Sequence, residues 1–251
     1  DDVHSPFFPP EARRSDGSKR ALYHGVLDTM DEQLGVLFDY VRDSPNLQNN
    51  TLILVCSDNG PEQGAGSAGP FRGFKTHLFE GGIRSSLIAW APGLINQKKA
   101  GTVNTDSWFS AMDLVPSILS LANIKTDTAF DGQRLDSIIL GNTNDSRNAP
   151  LFFRRPPDRD SFYGISDCPD LAVREGDWKL LCEYDGTQAK LYNLKLDRGE
   201  TNDVASDHPD LTRRLTASVV QWHQSMPQDA GATFDTKPRK GAEAGIFTGE
   251  F

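Results

Sequence analysis

Residues Thr51 to Gly60 read TLILVCSDNG, a run of β-favouring and apolar residues that stops abruptly at Asp58-Asn59-Gly60. A segment of this composition forms a buried strand, and a buried strand requires other layers of the same chain to cover it. Whatever the chain folds into must therefore deliver a carboxylate and a carboxamide, side by side, at the end of a core strand.

The flanking sequence supplies the layers. Leu22, Val26, Met30, Leu34, Leu37, Phe38 and Val41 recur at helical spacing and predict a long amphipathic helix over Lys19 to Arg42, with Ser18 as N-cap. Strand Thr51 to Cys56 follows, then a glycine-rich loop from Gly60 to Gly82, a second strand at Ile83 to Trp90, and a helix at Ser110 to Leu121. That helix takes its apolar face from Met112, Val115, Ile118, Leu119 and Leu121. This alternation predicts an α/β layer with a mostly parallel sheet. The opening DDVHSPFFPPEARRSDGS reads as an extended loop.

Beyond about Asn142 the texture changes. LFFRR, LAVREGDWKLLCEY and AKLYNLKLD are short strand candidates separated by turns, and Pro209 to His223 forms a final amphipathic helix. The expected organisation is a larger α/β part over 1–142, a small subdomain of antiparallel sheet plus helix over 143–225, and a tail over 226–251.

A net charge of −9 with scattered Lys and Arg argues against a nucleic-acid surface. No run reaches the apolar length of a membrane-spanning helix. Cys56, Cys168 and Cys182 have no CxxC spacing and are odd in number, so neither a zinc knuckle nor a complete disulfide framework is expected; Cys168 and Cys182 either pair or stay free. The chain opens on Asp1-Asp2-Val3-His4, which reads as mid-protein sequence.

Asp-Asn-Gly is most often a simple turn. At the carboxyl end of a strand in an open α/β sheet it also stands where ligands bind, and its oxygens are hard donors suited to Ca²⁺ or Mg²⁺. The stretch GPFRGFKTHLFEGGIRSSLIAWAPG places Arg72, Lys75, His77, Glu80 and Arg84 in and just beyond one glycine-bearing loop. Such a loop can set an ammonium beside a metal to hold a tetrahedral oxyanion, and it can equally carry solvated charge.

TLILVCSDNGPE followed by FRGFKTHLFEGGIR and WAPG resembles the type I sulfatases of the alkaline phosphatase superfamily. YHGVLDTMDEQLGVLFDYV, SAMDLVPSILSLANI, LAVREGDWKLL and LYNLKLDRGETNDVA extend the resemblance over about Val3 to Trp222. It implies an alkaline-phosphatase-like sheet sandwiched by helices, with a small C-terminal antiparallel sheet and helix. It further implies Asp58 and Asn59 as ligands of an active-site Ca²⁺, in preference to Mg²⁺, and Lys75 on a sulfate oxygen. His4, in VHSPFFPP, would assist the leaving group, and His77 is a candidate for a substrate subsite or a structural position. Glu80 and Arg84 read as loop-shaping, and Trp178 and Trp222 as core.

The family's Cys-x-Pro-x-Arg motif, source of its formylglycine nucleophile, is missing from this sequence, as are the paired aspartates that complete the metal site. The expectation is a C-terminal portion of a sulfatase, working with an N-terminal portion on a sulfated small molecule or polysaccharide, in a secreted or periplasmic setting. The alternatives are a phosphodiesterase or phosphonate hydrolase of the same superfamily, or a non-catalytic binding protein.

Overall fold

The computed structural model describes residues 19–155 and 168–226. Ser18, the opening loop and the tail from 227 onward lie outside the described residues. By packing, the chain forms two compact units: one holds residues up to Ser67 together with Arg84–Ala149, and the other holds Ala68–Ile83 together with the chain from Pro150 onward.

The first unit begins with α1, Lys19–Asp43, closely matching the predicted helix. Phe38 on α1 meets Trp90 edge to face, with centroids 5.1 Å apart. Two strands follow, β1 at Ile53–Cys56 and β2 at Leu87–Trp90, paired antiparallel with Ile53 opposite Trp90 and Cys56 opposite Leu87. The expected parallel arrangement is therefore not what this pair adopts. A parallel partner needs a long crossover, usually a helix, that carries the chain back to the starting end of the sheet. Between Cys56 and Leu87 the only helix is α2, Glu80–Ile83, a single turn, so the chain re-enters from the end at which it left. The same turn shortens the second strand from its predicted start at Ile83.

The predicted helix at Ser110 to Leu121 forms as a 3₁₀ turn, Ala111–Asp113, running into α3, Leu114–Leu121, and a short α4 follows at Asp136–Ile139. Its inward face is not the apolar one. Asp113 and Ser117 are buried, whereas Met112, Val115 and Ile118 are exposed. Asp113 explains the inversion: Oδ2 accepts the Ser110 amide at 2.8 Å, Oδ1 accepts the Gln133 amide at 2.6 Å, and the carboxylate pairs with the buried Arg147. Ser117 Oγ donates to the Asp113 carbonyl and accepts from the Leu135 amide. A polar network with its partners in place tolerates burial, so the apolar stripe is free to face outward.

The second unit is a four-stranded antiparallel sheet in simple order, β3 Leu151–Arg154, β4 Leu171–Glu175, β5 Trp178–Cys182 and β6 Lys190–Asn193, followed by α5, Pro209–Ser225. The two-residue period of a strand assigns its faces. Leu171, Val173, Leu180, Cys182 and Leu191 pack with Leu215 and Val219 of α5. The alternate residues Ala172, Leu181 and Tyr192 pack instead with Leu78 and Phe79. The sheet is thus covered on one face by α5 and on the other by the segment before α2. Trp178 and Trp222 pack against the α5-side core, Trp222 stacked on Phe152. Cys168 and Cys182 are both buried and are not bonded to each other, and burial pushes the Cys182 thiol up to about 12, helped by neighbouring carboxylates.

Candidate functional site

In the first unit, β1 ends as predicted on an exposed Asp58 and a half-buried Asn59. Asp58 Oδ1 accepts the Asn59 amide at 2.9 Å, Ser57 Oγ donates to the Asn59 carbonyl at 2.8 Å, and Ser85 Oγ donates to the Ser57 carbonyl at 2.9 Å. The last bond ties the approach to β2 onto the exit of β1, so the turn is held from both strands. One Asp58 oxygen carries the local hydrogen bond, leaving the other side of the carboxylate for an incoming cation. One carboxylate and one carboxamide fit part of a hard-cation shell, which takes six or more oxygens for Ca²⁺. Among the described residues no group of three or more His, Cys, Asp or Glu side chains is placed to hold a metal. A complete shell therefore needs further donors.

In the second unit, the segment from Arg72 to Gly81 is closed on itself. The Gly81 amide donates to the Arg72 carbonyl at 2.7 Å, the Gly82 amide to the Phe79 carbonyl at 2.8 Å, and the His77 amide to the Phe74 carbonyl at 3.0 Å. Gly82 is indispensable to this closure, because a Cβ there would lie 2.6 Å from the Phe74 carbonyl oxygen and closer still to that of His77. Thr76 holds φ at 82°, a conformation unfavourable for a β-branched residue, at the tip of the loop.

Lys75 is exposed on this tip. His77 turns inward: its ring lies against Phe74 and edge-on to Phe79, and neither ring nitrogen has a hydrogen-bond partner among the described residues. Burial, reinforced by Arg155 and Arg72, holds its pKa below the ordinary imidazole value. Arg72 lies with its guanidinium carbon 3.9 Å above the Phe79 ring and donates to the Glu200 carbonyl at 3.1 Å.

The structure thus brings Asp58 and Asn59 together on one turn, and Lys75 and His77 together on one loop, each pair within its own unit. His4 lies outside the described residues. Sequence reading missed what stands under the Lys75 loop. Lys179 and Glu200 are fully buried, with Lys179 Nζ 2.9 Å from Glu200 Oε1 and 3.0 Å from Glu80 Oε1. A lysine inside the apolar run of β5 was the available signal.

The family model described as Sulfatase matches residues 3–124. A "Sulfatase" of Formosa agariphila is 26% identical over 227 residues, covering 81% of this chain and 39% of that protein. The N-acetylgalactosamine-6-sulfatase of Sus scrofa is 36% identical over 163 residues, covering 62% of this chain and 30% of that protein. Among solved structures, Ps i-CgsB in complex with k-i-k-neocarrahexaose superposes with a TM-score of 0.70 at 25% identity, over 88% of this chain and 48% of that one. The fold is alkaline-phosphatase-like, and the chain is similar to sulfatases over the stretches these matches cover. It spans well under half the length of these curated relatives.

Proposed function

We propose that this chain is part of a sulfuric ester hydrolase that releases sulfate from a sulfated carbohydrate. The observation that carries the proposal is the exposed Lys75 ammonium, held on a closed and strained loop inside a chain whose β1 ends in two hard oxygen donors. Relatives named for N-acetylgalactosamine-6-sulfate, and a neighbour holding a neocarrahexaose, support a carbohydrate substrate.

Asp58 and Asn59 would hold a Ca²⁺, in preference to Mg²⁺, as two members of a larger oxygen shell. The cation, when bound, neutralises charge on the sulfate oxygens. Lys75 donates hydrogen bonds to a sulfate oxygen, and His4 donates a proton toward the departing alkoxide. His77 shapes the loop from below by its packing on Phe74. The nucleophile, a formylglycine, and the remaining metal ligands come from a segment outside this sequence.

Two observations bear on that second part. The stripes Met30, Leu37 and Tyr40 on α1 and Met112, Val115 and Ile118 on and before α3 are exposed. We read these rows as the surface on which that segment docks. Secretion or periplasmic export follows the substrates; among the described residues no helix is long and apolar enough to cross a membrane.

The test is sulfate release by the complete polypeptide from 4-methylumbelliferyl sulfate and from sulfated oligosaccharides, with peptide mass mapping for a cysteine converted to the aldehyde. Calcium-dependent release with a converted cysteine is the expected result. Release of phosphate or phosphonate esters alone, from an unconverted Ser or Thr, overturns it in favour of the phosphoryl alternative. Calcium binding with no hydrolysis leaves a binding protein.

A further inference from the structure

We propose that the buried Glu80–Lys179–Glu200 network is a positioning device that fixes the height and register of the loop carrying Lys75; the catalytic part of this inference rests on the sulfatase reading above. Lys179 projects from β5 on the face opposite α5, beside Leu181, toward the segment that enters α2. Its ammonium lies between the Glu80 and Glu200 carboxylates, at 3.0 and 2.9 Å, with all three side chains at most 2% exposed. Arg174, paired with Lys179 across the β4–β5 ladder, stands 3.5 Å from the other Glu80 oxygen. Glu80 thus bridges two cations that would otherwise repel across the strands.

Glu200 holds the same residue by its backbone. Its Oε2 accepts the Glu80 amide at 2.6 Å, while its own carbonyl accepts Arg72 Nη1 at 3.1 Å. Both ends of the Lys75 loop, Arg72 on one side and Glu80 on the other, are therefore tied to one residue. Glu200 sits at φ 51°, a left-handed conformation that a glutamate adopts only when its surroundings fix it.

Stability alone does not account for this choice. A buried ion network returns little net stability over apolar residues of similar volume, and Leu78 and Phe79 already supply apolar packing to the sheet. What the network adds is direction. Apolar contacts between Leu78, Phe79 and the sheet tolerate sliding by a fraction of an ångström; the Glu80 amide's bond to Glu200 and the Lys179 ammonium's bond to Glu80 do not. Lys75 itself is exposed, so its position is inherited from these anchors.

The experiment compares the complete polypeptide with Lys179→Met, Glu200→Gln and Lys179→Arg, taking Arg213→Ala, at an exposed helix pair, as control. Amide hydrogen exchange and 4-methylumbelliferyl sulfate turnover are read on each. In Lys179→Met the amides of His77, Gly81 and Gly82 should exchange about tenfold faster or more while those of Leu180 and Leu191 keep their protection. The kcat should fall by about 10²-fold with KM within about twofold. Lys179→Arg should restore part of both, and Glu200→Gln, which keeps the shape, should show the same pattern more weakly.

Unchanged loop exchange in a folded Lys179→Met overturns the proposal, as does an activity loss that merely follows the unfolded fraction. If Lys179→Met does not fold, Glu200→Gln decides by the same readouts. A wild-type protein that releases no sulfate refutes the sulfatase reading, and the exchange data still decide whether the network fixes the loop.

Discussion

The imidazole of His77 lies against the phenyl ring of Phe74, with centroids 4.1 Å apart and planes inclined at 38°. Gly73 makes room for it: at φ 84° it has no Cβ, and one there would stand 2.8 Å from His77 Nδ1. The ring is therefore held neutral in an apolar setting near two cations, Arg155 and Arg72.

That environment gives a signed pH dependence. Burial first, then the two arginines, lower the folded pKa of His77 below 6.5, while the unfolded chain titrates at its ordinary value. The contribution to stability is present above the unfolded value and is lost as pH falls through the lowered folded value. Urea midpoints taken between about pH 7.5 and about pH 5 should fall more steeply for wild type than for His77→Phe. Parallel slopes in the two proteins would show that the ring titrates in the folded state as it does in the unfolded chain.

How far the sequence reveals this molecule depends on whether the stabilising contacts are local. The helix at 19–43, the antiparallel sheet of the second unit and α5 were readable because 3.6- and two-residue periods report which face is buried. The position of Asp58 and Asn59 on the turn just after β1 was readable because a strand end is set locally. The orientation of α3 was not, because Asp113 draws its face inward through Gln133 and Arg147, partners remote in sequence that no periodicity records. The same holds for Lys179, which looks misplaced in WKLLC until Glu80 and Glu200 stand beside it. The antiparallel β1–β2 pairing was hidden for a third reason: alternation of elements does not reveal how a long loop returns.

Asp113 and Arg147 make a second prediction. Both side chains are at most 4% exposed, and Arg147 also donates to the carbonyls of Asp131 and Ala149 at 3.1 Å. Asp113→Ala leaves a buried guanidinium without its counter-charge and should cost about 3–5 kcal/mol. The double variant Asp113→Ala/Arg147→Met should recover only part of this, since the Ser110 and Gln133 amides still lack their acceptor. Denaturant titrations of wild type, Asp113→Ala, Arg147→Met and the double variant check it, and full recovery in the double variant would assign the whole effect to the ion pair.

Gly82 makes a third. An added methyl there meets the carbonyls of His77 and Phe74, which are backbone and cannot rotate away. Gly82→Ala should therefore destabilise by at least about 1–3 kcal/mol and displace the loop. Gly35, with open space around its Cβ position in α1, provides the contrast: Gly35→Ala should stabilise by up to about 1 kcal/mol through helix propensity. Thermal melts of the two variants, moving in opposite directions, test both statements together.

The last prediction separates the roles of Lys75 and Asp58. Lys75 is exposed, so Lys75→Ala should leave stability within about 0.5 kcal/mol while sulfate release by the complete polypeptide falls by about 10²–10³-fold. Asp58 should behave in the opposite manner. If it ligates calcium, the metal at about 100 times its dissociation constant adds about 2.7 kcal/mol to the folded state. Asp58→Ala should reduce that increment sharply, and a chelator should then have little further effect. Melts with and without calcium, run beside turnover for both variants, yield four outcomes. A calcium increment that survives in Asp58→Ala removes the strand end from the metal site, even if Lys75→Ala is inactive. Conversely, a Lys75→Ala protein of full activity removes the ammonium from the chemistry while leaving the cation site in place. Only the crossed pattern, activity lost without stability at Lys75 and calcium response lost at Asp58, assigns the two residues the separate roles proposed for them.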